Sequence, residues 1–362
     1  MLIWKEQNHD AVRTLAQLQE RLSLNPDDLS ALDDVLHLFQ MKITPYYLNL
    51  IDPNDPDDPL RKMAVPDVRE LHIKEGEMDD PIGDTNHALH NHPEKAITHR
   101  YPDRVLLHVT PQCGGYCRFC FRRRIVGRKE CCPKPEELQK ALDYIQRNNT
   151  IHEVILTGGD PFTLEDAQIL SILNSIKKIG HIRTIRIHTR MPAWNPFRLT
   201  DDLVQILKEA RPLWLVTHFN HPRELTETAV QHLSKCLDAG IPILNQSVLL
   251  KGINDTLEAQ QDLGWALIRP GIKPYYLHHV DLAKGISHFR VEIEDGLKLL
   301  KTMRGKMPGY AIPHYMFDIP GGYGKVPLEY QYLQKTREGH TVAETPFGGR
   351  IDLDEDSGGT GG

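Results

Sequence analysis

RVLLHVTPQCGGYCRFC, residues 104–120, decides how this chain is read. Its first seven residues are apolar and β-branched, the composition of a strand. They give way directly to three cysteines, Cys113, Cys117 and Cys120, spaced C-x3-C-x2-C. Downstream, five more runs of the same kind follow: EVILTGG (153–159), TIRIHTR (184–190), LWLVTHF (213–219), PILNQSVLL (242–250) and KPYYLHHV (273–280). Segments with helical periodicity separate them, such as KPEELQKALDYIQRN and TETAVQHLSKCLDAG. Thr200 and Thr226 stand where N-caps belong, and Gly240 where a helix should stop. Six strands alternating with helices predict an α/β fold with a parallel sheet. A barrel or partial barrel with its site at the strands' C-terminal ends is expected, and a doubly wound open sheet is the alternative. The nearly continuous apolar runs predict strands buried on both faces.

Upstream of residue 100 the pattern is different. Residues 9–22 and 27–40 carry apolar side chains at helical spacing, and Asn25-Pro26-Asp27-Asp28 offers a cap and an acidic first turn to the second. IDPNDPDDPL (51–60) cannot continue a helix and reads as a linker or an ordered turn. DEDSGGTGG at the C-terminus is too polar and glycine-rich to pack and is expected to be disordered. The 362 residues fit one large domain or two small ones. A net charge of -6 gives no global attraction for nucleic acid or an anionic membrane. There is no 18-residue apolar stretch, and MLIWKEQNHDAVR lacks an apolar signal core, so a cytoplasmic protein is expected.

Five of the six cysteines fall within 20 residues. A disulfide framework would spread them over the loops it staples, so the cluster points to metal or redox chemistry. Three thiolates on one short loop can wrap three corners of a cubic iron–sulfur cluster and leave the fourth iron open for a ligand. Gly114 and Gly115 let the backbone fold tightly there. Unrelated buried cysteines, or a zinc site short of one ligand, are the competing readings. Cys131 and Cys132 read as structural thiols and Cys236 as core.

The triplet after a strand resembles the radical S-adenosylmethionine superfamily, and Thr157-Gly158-Gly159-Asp160-Pro161 looks like the glycine-rich edge of that superfamily. The resemblance implies a partial (β/α)6 TIM-like barrel of the radical SAM type with an N-terminal helical extension. It also implies a [4Fe–4S] cluster on Cys113, Cys117 and Cys120, and S-adenosylmethionine contacted along Gly158, Gly159 and Asp160.

Near the C-terminus, DIPGGYGK (318–325) offers a single lysine on a glycine-rich loop. Such an amine can form a Schiff base with an aldehyde cofactor, although a solvated surface lysine is the simpler reading of the residue alone. From about Thr98 onward the chain resembles the lysine 2,3-aminomutase family. That resemblance implies that Lys325 binds pyridoxal 5′-phosphate, with Arg100, Tyr101 and Arg104 of RYPDR helping to seat it. Guanidinium groups suit phosphate. It implies Arg122 for the substrate carboxylate, Asp281 and Asp318 for the distal ammonium of lysine, and His218, Asn245 and Gln246 as cofactor contacts. The implied domains are a helical extension and linker (1–97), a barrel core with the lysine loop (98–335) and a tail (336–362).

The implied reaction is conversion of L-lysine to β-lysine by amino migration, with an electron donor such as flavodoxin or ferredoxin. Other readings are a mutase of glutamate or another amino acid, an elongation factor P-associated lysine mutase, and an inactive iron–sulfur scaffold. Two departures stand out. No cysteine follows Cys236, so the zinc segment that bridges subunits in the family has no counterpart, and homo-oligomerisation stays open. Lys284, three residues from Asp281, is expected to compete for that carboxylate.

Overall fold

The computed structural model describes residues 2–84, 96–337 and 339–354. Its centre is a nine-stranded sheet in chain order: β1 (Ile97–Tyr101), β2 (Arg104–Thr110), β3 (Glu153–Gly158), β4 (Thr184–Thr189), β5 (Leu213–Thr217), β6 (Ile243–Val248), β7 (Lys273–His278), β8 (His314–Asp318) and β9 (Lys325–Pro327). Strands β2 to β8 are all parallel. β1 and β9 lie antiparallel on the two edges. The six expected strands are therefore joined by the run at 315–318 as a seventh parallel strand, and by two edge strands too short to read from composition. β10 (Leu333–Lys335), β11 (Thr341–Glu344) and β12 (Arg350–Asp352) form a separate antiparallel sheet, β11 and β12 in the expected tail and β10 at the end of the expected core. Residues 355–362, most of the stretch read as disordered, lie outside the described residues.

Helices cross from strand to strand. Before β1 come α1 (Ile3–His9), α2 (Leu15–Gln19), α3 (Leu29–Leu38), α4 (Pro45–Leu48) and α5 (Pro59–Ala64). The crossovers contain α6 (Pro135–Arg147), α7 (Asp166–Lys177), α8 (Met191–Trp194), α9 (Asp201–Glu209), α10 (Glu227–Asp238), α11 (Leu257–Ile268) and α12 (Ile293–Arg304). Thr200 and Thr226 cap α9 and α10 as their positions predict, each hydroxyl accepting a backbone N–H one turn on. The strands' outward residues and these helices' inner faces make one apolar layer, including Leu107, Ile145, Leu156, Leu173, Ile187 and Leu215.

Burial on both faces holds for β3, buried at five of its six positions, but not throughout the sheet. β4 and β6 alternate between buried and half-buried residues, because their inward side chains line a cavity rather than a packed barrel centre. All nine strands contribute to its wall, so the sheet is curled around it. Across the opening of the curl, the Tyr101 hydroxyl on β1 accepts the backbone N–H of Lys325 on β9 at 2.8 Å.

The N-terminal segment differs in detail from its periodicity. The expected helix over 9–22 is interrupted, because Val12 pairs with Ile43 in a two-residue bridge and Thr14 then caps α2 with a capping box to Gln17. IDPNDPDDPL is an ordered turn: the buried Asp58 carboxylate accepts from the backbone N–H groups of Asp52, Leu60 and Arg61 and pairs with Arg223 at 2.7 Å. This segment grips the cysteine loop. Tyr116 N–H donates to the Lys42 carbonyl and Arg118 N–H to that of Met63, both at 2.9 Å. Arg118 reaches back to Glu70 through two bonds of 2.9 and 2.7 Å, and Arg123 meets the same carboxylate. Glu70 and Arg118 are almost entirely inaccessible. No helix among the described residues is long and apolar enough to cross a membrane.

Burial would raise the Glu70 carboxyl, but the two guanidiniums outweigh it and hold the group below the usual carboxylate range. Its stabilising contribution is therefore present at neutral pH and lost on acidification. Glu70→Ala leaves two buried cations unpaired and is expected to lower the unfolding free energy by about 3–5 kcal/mol. Urea denaturation measures this, and a loss below about 1 kcal/mol would reduce the network to an exposed-type ion pair.

Candidate functional site

The cavity enclosed by the sheet measures about 680 Å³. Of the residues singled out from sequence, Cys117, Cys120, Arg100, Tyr101, Arg104, Arg122, His218, Gln246, Asp281, Asp318 and Lys325 all line it. The topology explains the convergence. The cysteine loop follows β2, His218 follows β5, Gln246 is on β6, Asp281 follows β7 and Asp318 ends β8, so each sits at or near the C-terminal side of its strand. Arg100, Tyr101, Arg104 and Lys325 come from the two edges that meet across the opening.

Cys113, in the loop itself, and Gly158, Gly159 and Asp160 behind it are not in the cavity wall. The Asp160 N–H donates to the Gln112 carbonyl at 2.7 Å, and the Gly159 N–H goes to the Thr110 carbonyl. A side chain at Gly159 would meet the Gln112 carbonyl at 2.2 Å, so only glycine allows β3 to approach the loop this closely. The Asp160 carboxylate accepts from Thr189 and from the backbone N–H groups of Phe162 and Arg190. Asn245 also faces away from the cavity. Its amide bonds the backbone of Phe219, so it staples β5 to β6.

All three loop cysteines are free thiols. Burial pushes the Cys113 thiol well above its ordinary range, and Asp160, Cys120 and Cys117 add to this. Burial and then Cys117 push Cys120 up to about 11. Each of the three thiols thus lies within electrostatic reach of the other two. No three His, Cys, Asp or Glu side chains among the described residues converge as the ligands of one metal ion would. A cubic cluster sets each thiolate on a different iron, so its ligands need not converge. The loop is shaped by its neighbours: a methyl on Gly115 would enter the Trp194 ring at 2.4 Å, and one on Gly114 would meet the Met191 sulfur at 2.7 Å. Arg190 points at Cys117, Nη1 to Sγ 2.7 Å, while its Nη2 is held by Glu224 at 2.6 Å.

At the other end of the cavity the Lys325 ammonium lies against Asp318, 2.6 Å from each carboxylate oxygen, with His278 Nδ1 at 3.4 Å. Burial would raise Asp318, yet the hydrogen bond from His278 and the Lys325 charge pull it far below the ordinary value. Its neighbour Asp281 goes the other way. Burial first, and then the Asp318 charge, push it up to about 7. Lys284 does not compete for Asp281, since it is tied to Asp79 at 2.7 Å on the surface. Two carboxylates and one cation therefore share this corner, and it accepts positive charge.

Arg122 is the cation nearer the cysteines. Its Nε donates to Asp84 at 2.7 Å and its Nη1 to Thr157 at 3.3 Å. Asp84 lies 3.8 Å from Arg100, whose own Nε is buried without a hydrogen-bond partner among the described residues. That orphaned donor, beside Arg104 and Lys325, suits a phosphate-bearing aldehyde. Arg104 stacks 4.0 Å over the Tyr101 ring.

Sequence reading missed Asp84, His188 and His278. His188 on β4 receives a long 3.4 Å contact from Gln246, whose amide also bonds His218 at 2.9 Å, and its Nε2 has no partner among the described residues. Burial and Arg190 push His218 down to about 3, so the ring is neutral. The signal for His188 was present as a polar residue at every second position of TIRIHT, the mark of an inward face. Asp84, in a loop before β1, carried no such signal.

Residues 107–259 match the model of the Radical SAM superfamily. The chain is 38% identical over 330 residues to the L-lysine 2,3-aminomutase of Clostridium subterminale, covering 91% of this chain and 78% of that one. It is 41% identical to the L-lysine 2,3-aminomutase of Methanococcus maripaludis, over 91% of this chain and 76% of the other. It is 35% identical to the glutamate 2,3-aminomutase of Clostridioides difficile, over 98% and 82%.

The raised Asp281 carboxyl makes a pH-dependent claim. The unfolded chain ionises this group near 3.8 and the folded protein near 7, so stability falls as pH rises between those values. Asp281→Asn is therefore expected to raise the melting temperature of the ligand-free protein, by an amount that grows from about pH 4 to about pH 7 and is level above. Thermal scans across that range check it, and a pH-independent difference would sink it.

Proposed function

The chain belongs to the lysine 2,3-aminomutase family of radical SAM proteins, and from that premise we propose that it converts L-lysine to β-lysine, moving the amino group from C2 to C3. The observation that carries the choice of substrate is the ammonium already seated between carboxylates: Lys325 Nζ on Asp318, with Asp281 beside it. A side chain ending in an ammonium matches that corner, whereas the carboxylate of glutamate would be repelled from it.

The residues divide the work. Arg122 takes the substrate carboxylate in place of Asp84, and Asp318 with Asp281 takes the distal ammonium once Lys325 has left it. These two anchors at opposite ends of the substrate fix which carbons face the cysteine loop. Lys325 holds pyridoxal 5′-phosphate, with Arg100, Tyr101 and Arg104 at its phosphate, and Gln246 with neutral His218 supplies donors between the two ends of the cavity. Cys113, Cys117 and Cys120 hold the [4Fe–4S] cluster, with S-adenosylmethionine at its open corner beside the Gly158–Asp160 edge. When bound, these groups supply the radical and its delocalisation, and the curled sheet keeps water from it. The barrel core is taken as 98–335, preceded by the 1–97 extension. The setting is cytoplasmic, with flavodoxin or ferredoxin as electron donor, and a homo-oligomer is compatible with the reading.

An anaerobic assay with L-lysine, S-adenosylmethionine, pyridoxal phosphate and reductant is expected to yield β-lysine, and equal turnover of glutamate would overturn the choice of substrate. Asp318→Asn should lower kcat/KM for lysine by roughly 100-fold, about 2.7 kcal/mol of lost charge pairing. Cys117→Ala should lose the iron–sulfur absorbance. Lys325→Ala should lose the pyridoxyl label trapped by borohydride, and retention of that label would unseat Lys325.

A further inference from the structure

We propose that Lys42 is a positioning residue for electron entry: a buried ammonium without a carboxylate partner, fastened to the cysteine loop, that makes the iron–sulfur cluster easier to reduce. This rests on the cluster reading above. Lys42 lies between α3 and α4 and is 8% exposed. Its Nζ donates to the Cys113 carbonyl at 2.8 Å, and its own carbonyl accepts the Tyr116 N–H at 2.9 Å. The next residue, Ile43, is pinned to Val12 by the two-residue bridge. Side chain and backbone are thus both tied to the loop, and the charge cannot swing into solvent.

The arginines around the cysteines are ion-paired: Arg190 with Glu224 at 2.6 Å, Arg122 with Asp84 at 2.7 Å, and Arg118 and Arg123 with Glu70. Among the described residues Lys42 forms no such ion pair. Arg13 adds a second positive charge nearby. Asp160 is within electrostatic reach, but its oxygens are engaged by Thr189 and by backbone N–H groups. A buried cation with no counter-ion is costly. The three thiolates of a loaded loop supply the missing negative charge. One electron from an external one-electron donor then enters the cluster and no bond is broken. Net charge and hydrogen bonding around a cluster set its potential, and a fixed ammonium favours the form with more negative charge.

The test compares wild type, Lys42→Gln and Lys42→Arg after anaerobic reconstitution, by iron and sulfide content and by potentiometric titration followed by electron paramagnetic resonance. Gln can still donate to the Cys113 carbonyl but carries no charge. Its midpoint is expected to move to more negative potential, enough to lower the reduced-to-oxidised ratio about tenfold at fixed poise, about 59 mV for a one-electron couple. Arg is expected to stay near wild type. The midpoint is read from loaded clusters alone, so partial loading of a variant does not blur the result. A Gln variant that titrates at the wild-type potential overturns the role of Lys42. A wild type that binds no iron overturns the cluster reading instead.

Discussion

Glu70 is a carboxylate with no exposed surface, and its burial is tolerable only because two guanidiniums come to it. Arg118 and Arg123 lie on either side of Cys120 in the chain, so satisfying Glu70 also fixes the path of the backbone through the third cysteine. The same pull draws the N-terminal segment onto the loop, where the Lys42 and Met63 carbonyls hold its backbone. The cysteine spacing alone does not shape this loop. It is clamped from outside by residues that precede the barrel.

A second constraint is the division of the sheet into an apolar outer face and a polar inner one. Leu107, Leu156 and Ile187 pack against helices, while Thr157, Arg186, His188 and Gln246 turn inward. A barrel of this size packed with leucine and valine would have no room for a substrate. The charges at the two ends of the cavity are arranged by opposite sign, Arg122 toward the cysteines and the Asp281–Asp318 pair toward the lysine. That asymmetry gives a small zwitterion a preferred direction.

Much of this was legible in the chain. The strand runs and the caps at Thr200 and Thr226 read correctly because each is a local pattern with a local cause. Burial of the strands on both faces holds for β3 but was misread for β4 and β6, because apolar content was weighed and alternation was not. The helix over 9–22 broke because Val12 has a partner 31 residues away in Ile43. Asp84 and Lys42 could not be found, since their significance comes from where Arg122 and Cys113 lie in space. The pairing of Lys284 was misjudged for the same reason: nearness in sequence to Asp281 says little when Asp79 is nearer in the fold.

The contact between Tyr101 and Lys325 joins residues 224 positions apart, the first strand of the sheet to the last. The Lys325 amine is thereby brought to the cavity by ring closure of the whole architecture. A nascent polypeptide still lacking its final strand has every cysteine of the loop but no amine in register with Arg100 and Arg104. The charged corner where Lys325 meets Asp318 is thus assembled only when the last strand of the sheet has docked.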